Sequence, residues 1–308
     1  MLPLVTHPCY SYQFPAGHRF PMDKFALLHT YLQAKGIATA SNVYRPGRAR
    51  PELLALGHSG EHIERFITGT QTVAELRRMG LPWSQPLVAR TLISPNGTLL
   101  AGLLALDRGI ACHLAGGTHH AHFDFASGFC IFNDLAVAAK ALIAQGKVRR
   151  VLIVDCDVHQ GDGTAAILAD DPSIFTFSIH CEKNFPVRKA TSDLDVGLAP
   201  GTGDDAYLAT LENHLDKVLQ QFQPDFIFYD AGVDVYQHDP LGLLDITLEG
   251  IRARDRLVLE KCVRRNTPVA TVIGGGYYDG LSSRADASLA LARRHAIVVE
   301  EAHKLASE

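Results

Sequence analysis

The chain has 308 residues, 47% hydrophobic and 20% charged, with a formal net charge of −4. This composition fits a globular protein with a large core and excludes a low-complexity or disordered chain. The slight negative charge gives no electrostatic drive toward nucleic acid or an anionic membrane surface. Six cysteines, at positions 9, 112, 130, 156, 181 and 262, form no CxxC pair. Several lie in apolar runs, so we read them as small buried hydrophobes in a reducing compartment, the cytoplasm. Residues 1–20 show no charged stretch followed by an apolar one, so no signal peptide is expected, and no apolar run reaches membrane-spanning length.

In chain order, Leu2 to Thr6 reads as a first strand, ended by His7 and Pro8. A helix is expected from about Asp23 to Ala34, closed by Gly36. A weak strand follows at 38–44, then two short helical patterns within 51–79, where Glu61, His62 and Ile63 look like a solvated face. The segment 81–86 reads as a turn, and an apolar helix begins near Thr98 and ends at Gly109. A strand at 110–114 leads to Gly116–Ala121. Asn133 and Asp134 offer an N-cap for a helix ending at Gly146. Val151–Val154 is short, mostly β-branched and bounded by polar residues, which marks a buried strand. A helix at 164–169, a strand at 174–179 and a long loop at 181–204 come next. The remainder alternates regularly: helix 206–222, strand 226–229, helix 247–264, strand 268–273, helix 283–304. Such alternation argues an α/β fold with a central, mostly parallel sheet and helices on both faces. Without repeat or linker, residues 1–308 read as a single domain.

The unusual residues follow the apolar strands. Asp155, Asp157 and His159 come at every second position after Val154, so in extended chain they share one face. Two carboxylates and an imidazole at the edge of an apolar core call for a compensating cation. Zinc or ferrous iron with one open position suits that donor set. His119 and His120, Asp234 and Tyr277 occupy equivalent places after other strands. Ligands of open parallel sheets bind at the carboxyl ends of the strands, so these clusters can converge on one crevice.

With these residues in place, the chain resembles the histone deacetylase superfamily, of the arginase/deacetylase fold. The matching motifs are Gly116–Ala121, Ala126–Cys130, Asp155–Gly163, Ser178–His180, Asp230–Asp234 with His238–Gly242, and Gly274–Tyr277. They span more than half of the chain in the family's order. Gln160, where many members carry His, and the segment Gly17–Met22 resemble the class IV branch and its bacterial relatives, although Asp162 stands where some of those have Asn. The resemblance implies a zinc-dependent amidohydrolase that removes acyl groups from lysine ε-amines, with acyl-lysine proteins or peptides as partners. Its metal ligands would be Asp157, His159 and Asp234. His119 and His120 would handle protons, supported by Asp155 and Asp162, and Tyr277 would stabilise the oxyanion. Gly128, Phe129 and Phe185 would wall the substrate channel, and Arg19 would lie near an inner cavity for the released acid. A structural potassium ion would sit at Asp155, Asp157, His159, Ser178 and Ile179. Three other readings stay open: hydrolysis of acetylated polyamines or another small amide, a two-manganese ureohydrolase, and an acyl-lysine binding module without catalysis. The ureohydrolase pattern is DxHxD, whereas this chain has DxDxH.

Overall fold

The structure, a computed structural model, describes residues 1–278 and 283–306. The described strands are β1 (Leu4–Val5), β2 (Val43–Tyr44), β3 (Ile110–His113), β4 (Val151–Asp155), β5 (Ile174–Cys181), β6 (Leu194–Leu198), β7 (Phe226–Asp230) and β8 (Val269–Val272). They form one sheet of order β2-β1-β3-β8-β7-β4-β5-β6. Every described pairing is parallel.

The helices are α1 (Lys24–Ala34), α2 (Pro51–Leu54), α3 (Gly60–Thr68), α4 (Val73–Met79), α5 (Gln85–Arg108), α6 (Asp134–Ala144), α7 (Asp162–Leu168), α8 (Asp204–Phe222), α9 (Leu248–Arg264) and α10 (Arg284–Leu305). Strand alternation divides the core in two. Leu152, Val154, Ile227 and Tyr229 face one cluster with Leu211 and Leu215 of α8, Val258 of α9 and Leu291 of α10. Val151, Ile153, Phe226 and Phe228 face the other, with Leu99 and Ala105 of α5, Leu142 of α6 and Leu168 of α7. The strands are apolar on both sides because both sides are covered.

Four expectations need correction. The helix expected to begin near Thr98 begins at Gln85 and runs through Pro95. A proline inside a helix costs about 3 kcal/mol. Burying Leu87, Ile93 and Leu99, at roughly 1.5–3 kcal/mol each, outweighs it. By length and composition α5 could also cross a membrane, contrary to the sequence reading, but two-thirds of its apolar window is buried inside the protein, where it packs on α6 and β3. The loop at 181–204 contains β6, an edge strand whose Asp195 and Gly197 mask the pattern. Residues 51–79 hold three helices rather than two, and His62 and Ile63 are buried rather than solvated. His62 Nε2 donates to the Ile131 carbonyl at 2.9 Å.

Candidate active site

β3, β8, β7 and β4 are consecutive in the sheet. The loops leaving their carboxyl ends carry His119 and His120, Tyr277, Asp234, and Asp157 with His159, respectively. Strand order alone therefore brings together residues separated by up to 158 positions in the chain.

Asp157, His159 and Asp234 are buried, and one ligand atom from each lies within 4.8 Å of the others. Backbone amides aim the carboxylates. Asp157 Oδ1 accepts from the His159 amide at 3.0 Å and its Oδ2 from the Gly275 amide at 2.7 Å. Asp234 Oδ1 accepts from the Val158 amide at 2.9 Å. Gly275 must be glycine: a Cβ there would lie 2.1 Å from Asp234 Oδ2 and 2.6 Å from Asp157 Oδ2. His159 Nδ1 lies 3.0 Å from Asp157 Oδ1 and 3.1 Å from Asp234 Oδ2. Burial lowers the imidazole's pKa, but those two carboxylates overcome it and hold His159 at about 10. A proton thus does what a cation would do. One nitrogen and two carboxylates, convergent and short of positive charge, fit a divalent ion such as zinc.

The two histidines of the pair differ. His119 Nδ1 donates to Asp155 Oδ2 at 2.7 Å, and His120 Nδ1 to Asp162 Oδ1 at 2.6 Å. Burial lowers both. The charges of Asp155 and Asp157 override it at His119 and raise that ring well above its ordinary value. At His120 burial and the neighbouring His119 prevail, and the ring is held at about 4 despite Asp162. His122 also reaches Asp162, at 3.1 Å.

Two cavities with shared lining residues meet at this centre. The outer one, of about 460 Å³, is lined by Phe129, Phe185, His120, His159 and Tyr277, with Arg19 among its rim residues. The inner one, of about 40 Å³, is lined by Phe20, Lys24, Phe25, Arg90, Gly116 and Gly274. Tyr277, His120, His159, Gly128 and Phe129 line both. The Phe185 ring stands 4.8 Å from that of His120, and the Phe129 ring 6.0 Å from that of Tyr277. Gly128 has φ +53°, and a Cβ there would lie 2.6 Å from His120 Cδ2, so only glycine lets the turn approach the ring. The Tyr277 amide donates to Asp239 Oδ2 at 2.8 Å. Burial, with Asp234 and Asp157 nearby, raises the phenol well above its ordinary value, so it stays a donor.

The structure thus brings together His119, His120, Asp155, Asp157, His159, Asp162, Asp234, Tyr277, Gly128, Phe129 and Phe185. Asp155 and Ser178 are register partners on β4 and β5, with Ile179 next along the strand. Arg19 is not at the inner cavity as expected; it is exposed at the outer mouth. The inner cations are Lys24, whose ammonium donates to the Gly274 carbonyl at 3.0 Å, and Arg90, whose Nε donates to the Tyr10 carbonyl at 3.1 Å. Burial lowers Lys24 to about 8. Reading by sequence missed both, because each sits on an ordinary helical stretch without a motif. It also gave no role to Asp239, which lies inside a quoted motif, or to Asp230. Asp230 is fully buried, neither of its oxygens has a hydrogen-bond partner among the described residues, and it forms a second close group with His119 and Asp155. Gln160 turns away from the centre: its amide donates to Asp195 Oδ1 at 2.7 Å and its oxygen accepts from the Ala190 amide at 2.9 Å.

Residues 18–292 match the model of the histone deacetylase domain. An uncharacterised protein of Picosynechococcus is 51% identical over 89% of this chain and 92% of its own length. Histone deacetylase 2 of Arabidopsis thaliana is 30% identical over 84% of this chain and 70% of its own. The acetoin utilization protein AcuC of Staphylococcus aureus is 29% identical over 87% and 75%. Among solved structures, the HD domain of HDA15 superposes with TM-score 0.78 at 22% identity, covering 97% of this chain and 89% of that one. A deacetylase homologue complexed with SAHA gives 0.80 at 22%, covering 98% and 84%. These two likenesses speak for the fold.

Proposed function

We propose, from the premise that this chain belongs to the histone deacetylase family, that it is a zinc-dependent hydrolase removing short acyl groups from lysine ε-amines. The observation that carries this reading is the meeting of the Asp157, His159 and Asp234 set with His120 and Tyr277 where the outer and inner cavities share their lining. A divalent ion there would polarise the amide carbonyl and lower the pKa of a water to about 7. The chain's own residues do the rest. Phe129 and Phe185 wall the lysine methylenes. Tyr277 donates its hydroxyl to the developing oxyanion. His120 is neutral and faces the channel, which suits it to take the proton of the attacking water and pass it to the leaving amine. His119, held cationic by Asp155, supplies fixed positive charge. Asp155 and Asp162 hold both rings in orientation. A carboxylate product released inward would meet Lys24 and Arg90.

Engagement of His119 with Asp155 favours a proton-handling pair there over a second metal, and hence one divalent ion per chain. Intact dyads and Tyr277 speak against a module that only binds. A structural potassium ion would sit at the ends of β4 and β5, held by Asp155, Asp157, His159, Ser178 and Ile179. We treat the chain as one catalytic domain. Its six free cysteines, five of them buried, suit a reducing cytoplasm.

The inner cavity holds only a few waters' worth of space. We expect zinc-loaded protein to release acid from one lysine peptide fastest with acetyl, more slowly with butyryl, and least with octanoyl or myristoyl. Tyr277→Phe should lower kcat by about 10²–10³. Equal turnover by wild type and Tyr277→Phe would sink the mechanism.

A further inference from the structure

We infer that the channel mouth selects acyl-lysines flanked by acidic residues; the inference rests on the deacylase reading. Three arginines, Arg19, Arg77 and Arg78, line the outer cavity, and among the described residues no aspartate or glutamate does. All three are exposed. None of them pairs with a carboxylate among the described residues. In a chain of net charge −4, this is a local reversal of sign at the place where substrate enters.

The arginines are held against the channel wall. Arg77 and Arg78 lie in the last turn of α4, and the backbone beside them grips the wall: the Gly128 amide donates to the Arg78 carbonyl at 3.2 Å, and the Phe129 amide to the Met79 carbonyl at 2.9 Å. Arg19 arrives from a separate loop, tied in by His18 Nε2 donating to the Gly80 carbonyl at 3.1 Å. The Arg78 guanidinium lies 3.9 Å over the Phe125 ring. A helix dipole accounts for basic residues at the end of α4, but not for Arg19 beside them. On the far side the mouth is neutral, with Asn184, Phe185 and Leu241. Lys189 donates to the carbonyls of Asn184 and Pro186, each at 2.6 Å, and adds positive charge behind that wall. Cationic acetylpolyamines would be repelled here, whereas carboxylates flanking an acyl-lysine would each find an unpaired guanidinium.

The test compares kcat/KM for three acetyl-lysine peptides with acidic, neutral and basic flanks, at about 20 mM and about 0.5 M salt, where screening shortens the reach of charge. We expect the acidic peptide to exceed the basic one about tenfold at low salt and about twofold or less at high salt. The Arg19→Gln/Arg77→Gln/Arg78→Gln variant should bring the low-salt ratio within about twofold of one. The ratio is read rather than the absolute rate, and the wild-type salt dependence needs no variant. A wild-type ratio near one at low salt, with the neutral peptide hydrolysed, overturns the inference alone. So does acetylputrescine turning over faster than the acidic peptide. No hydrolysis of any peptide overturns the deacylase reading, and the inference falls with it.

Discussion

Two buried polar clusters flank the carboxyl ends of β4 and β7 and balance charge in opposite ways. Behind β4 and β7, Arg254 and Asp255 are both fully buried. Arg254 donates to the carbonyls of Gly232 at 2.7 Å, Cys156 at 3.1 Å and Ala231 at 3.3 Å, and its Nε to Asp255 Oδ1 at 3.0 Å. The Tyr229 hydroxyl donates to the same carboxylate oxygen at 2.6 Å. One positive and one negative charge cancel. At the mouths of the same strands, Asp155, Asp157, Asp230 and Asp234 face His119 and His159, with Lys24 the nearby cation, and both Asp230 oxygens lack partners among the described residues. Burying that imbalance is costly unless a cation closes it. The closed cluster fixes the backbone of Cys156 and Gly232, neighbours of the ligands; the open cluster does chemistry on that support.

The contrast predicts opposite responses to mutation and to metal. Removing divalent metal with a chelator should cut activity by about 10³ or more and lower thermal stability, by about 2.7 kcal/mol relative to zinc at 100-fold its dissociation constant. In the metal-free protein, Asp234→Asn relieves one uncompensated charge, so it should melt higher than metal-free wild type while binding no zinc. If it melts lower, the cluster is not short of positive charge. Arg254→Met leaves Asp255 buried alone and should destabilise by about 3–5 kcal/mol in denaturant titrations, with or without zinc. An unchanged midpoint would show that the pair is no brace.

Acid should act through a third kind of buried group. His58 accepts from the Asn133 amide at 2.7 Å, and His113 bonds the Tyr10 hydroxyl at 2.8 Å. Burial holds each near 3, helped by His62 at His58 and by Arg90 at His113. Both are neutral when folded and take up a proton readily only when unfolded, below about 6.5. Their contribution is complete above that pH and declines as pH falls toward about 3. Denaturant melts between about pH 7 and pH 5 should show the loss, and His58→Gln should flatten the slope. A slope as steep in His58→Gln as in wild type would remove His58 from this account.

Local pattern was enough for most strands and most helices. β4, β5, β7 and β8 are short apolar runs bounded by turn residues, and period and composition are properties of neighbours in sequence. The donor set after Val154 could be read for the same reason, since alternation along one extended segment is local. Which ends of which strands meet is not local. His119, Asp157, Asp234 and Tyr277 share one centre because the sheet is ordered β3-β8-β7-β4. The continuity of α5 through Pro95, the edge strand β6, and the placement of Lys24 and Arg90 beneath the site were decided the same way. In each case the free energy of packing against distant residues exceeds the local preference, and only the folded chain brings those residues within reach.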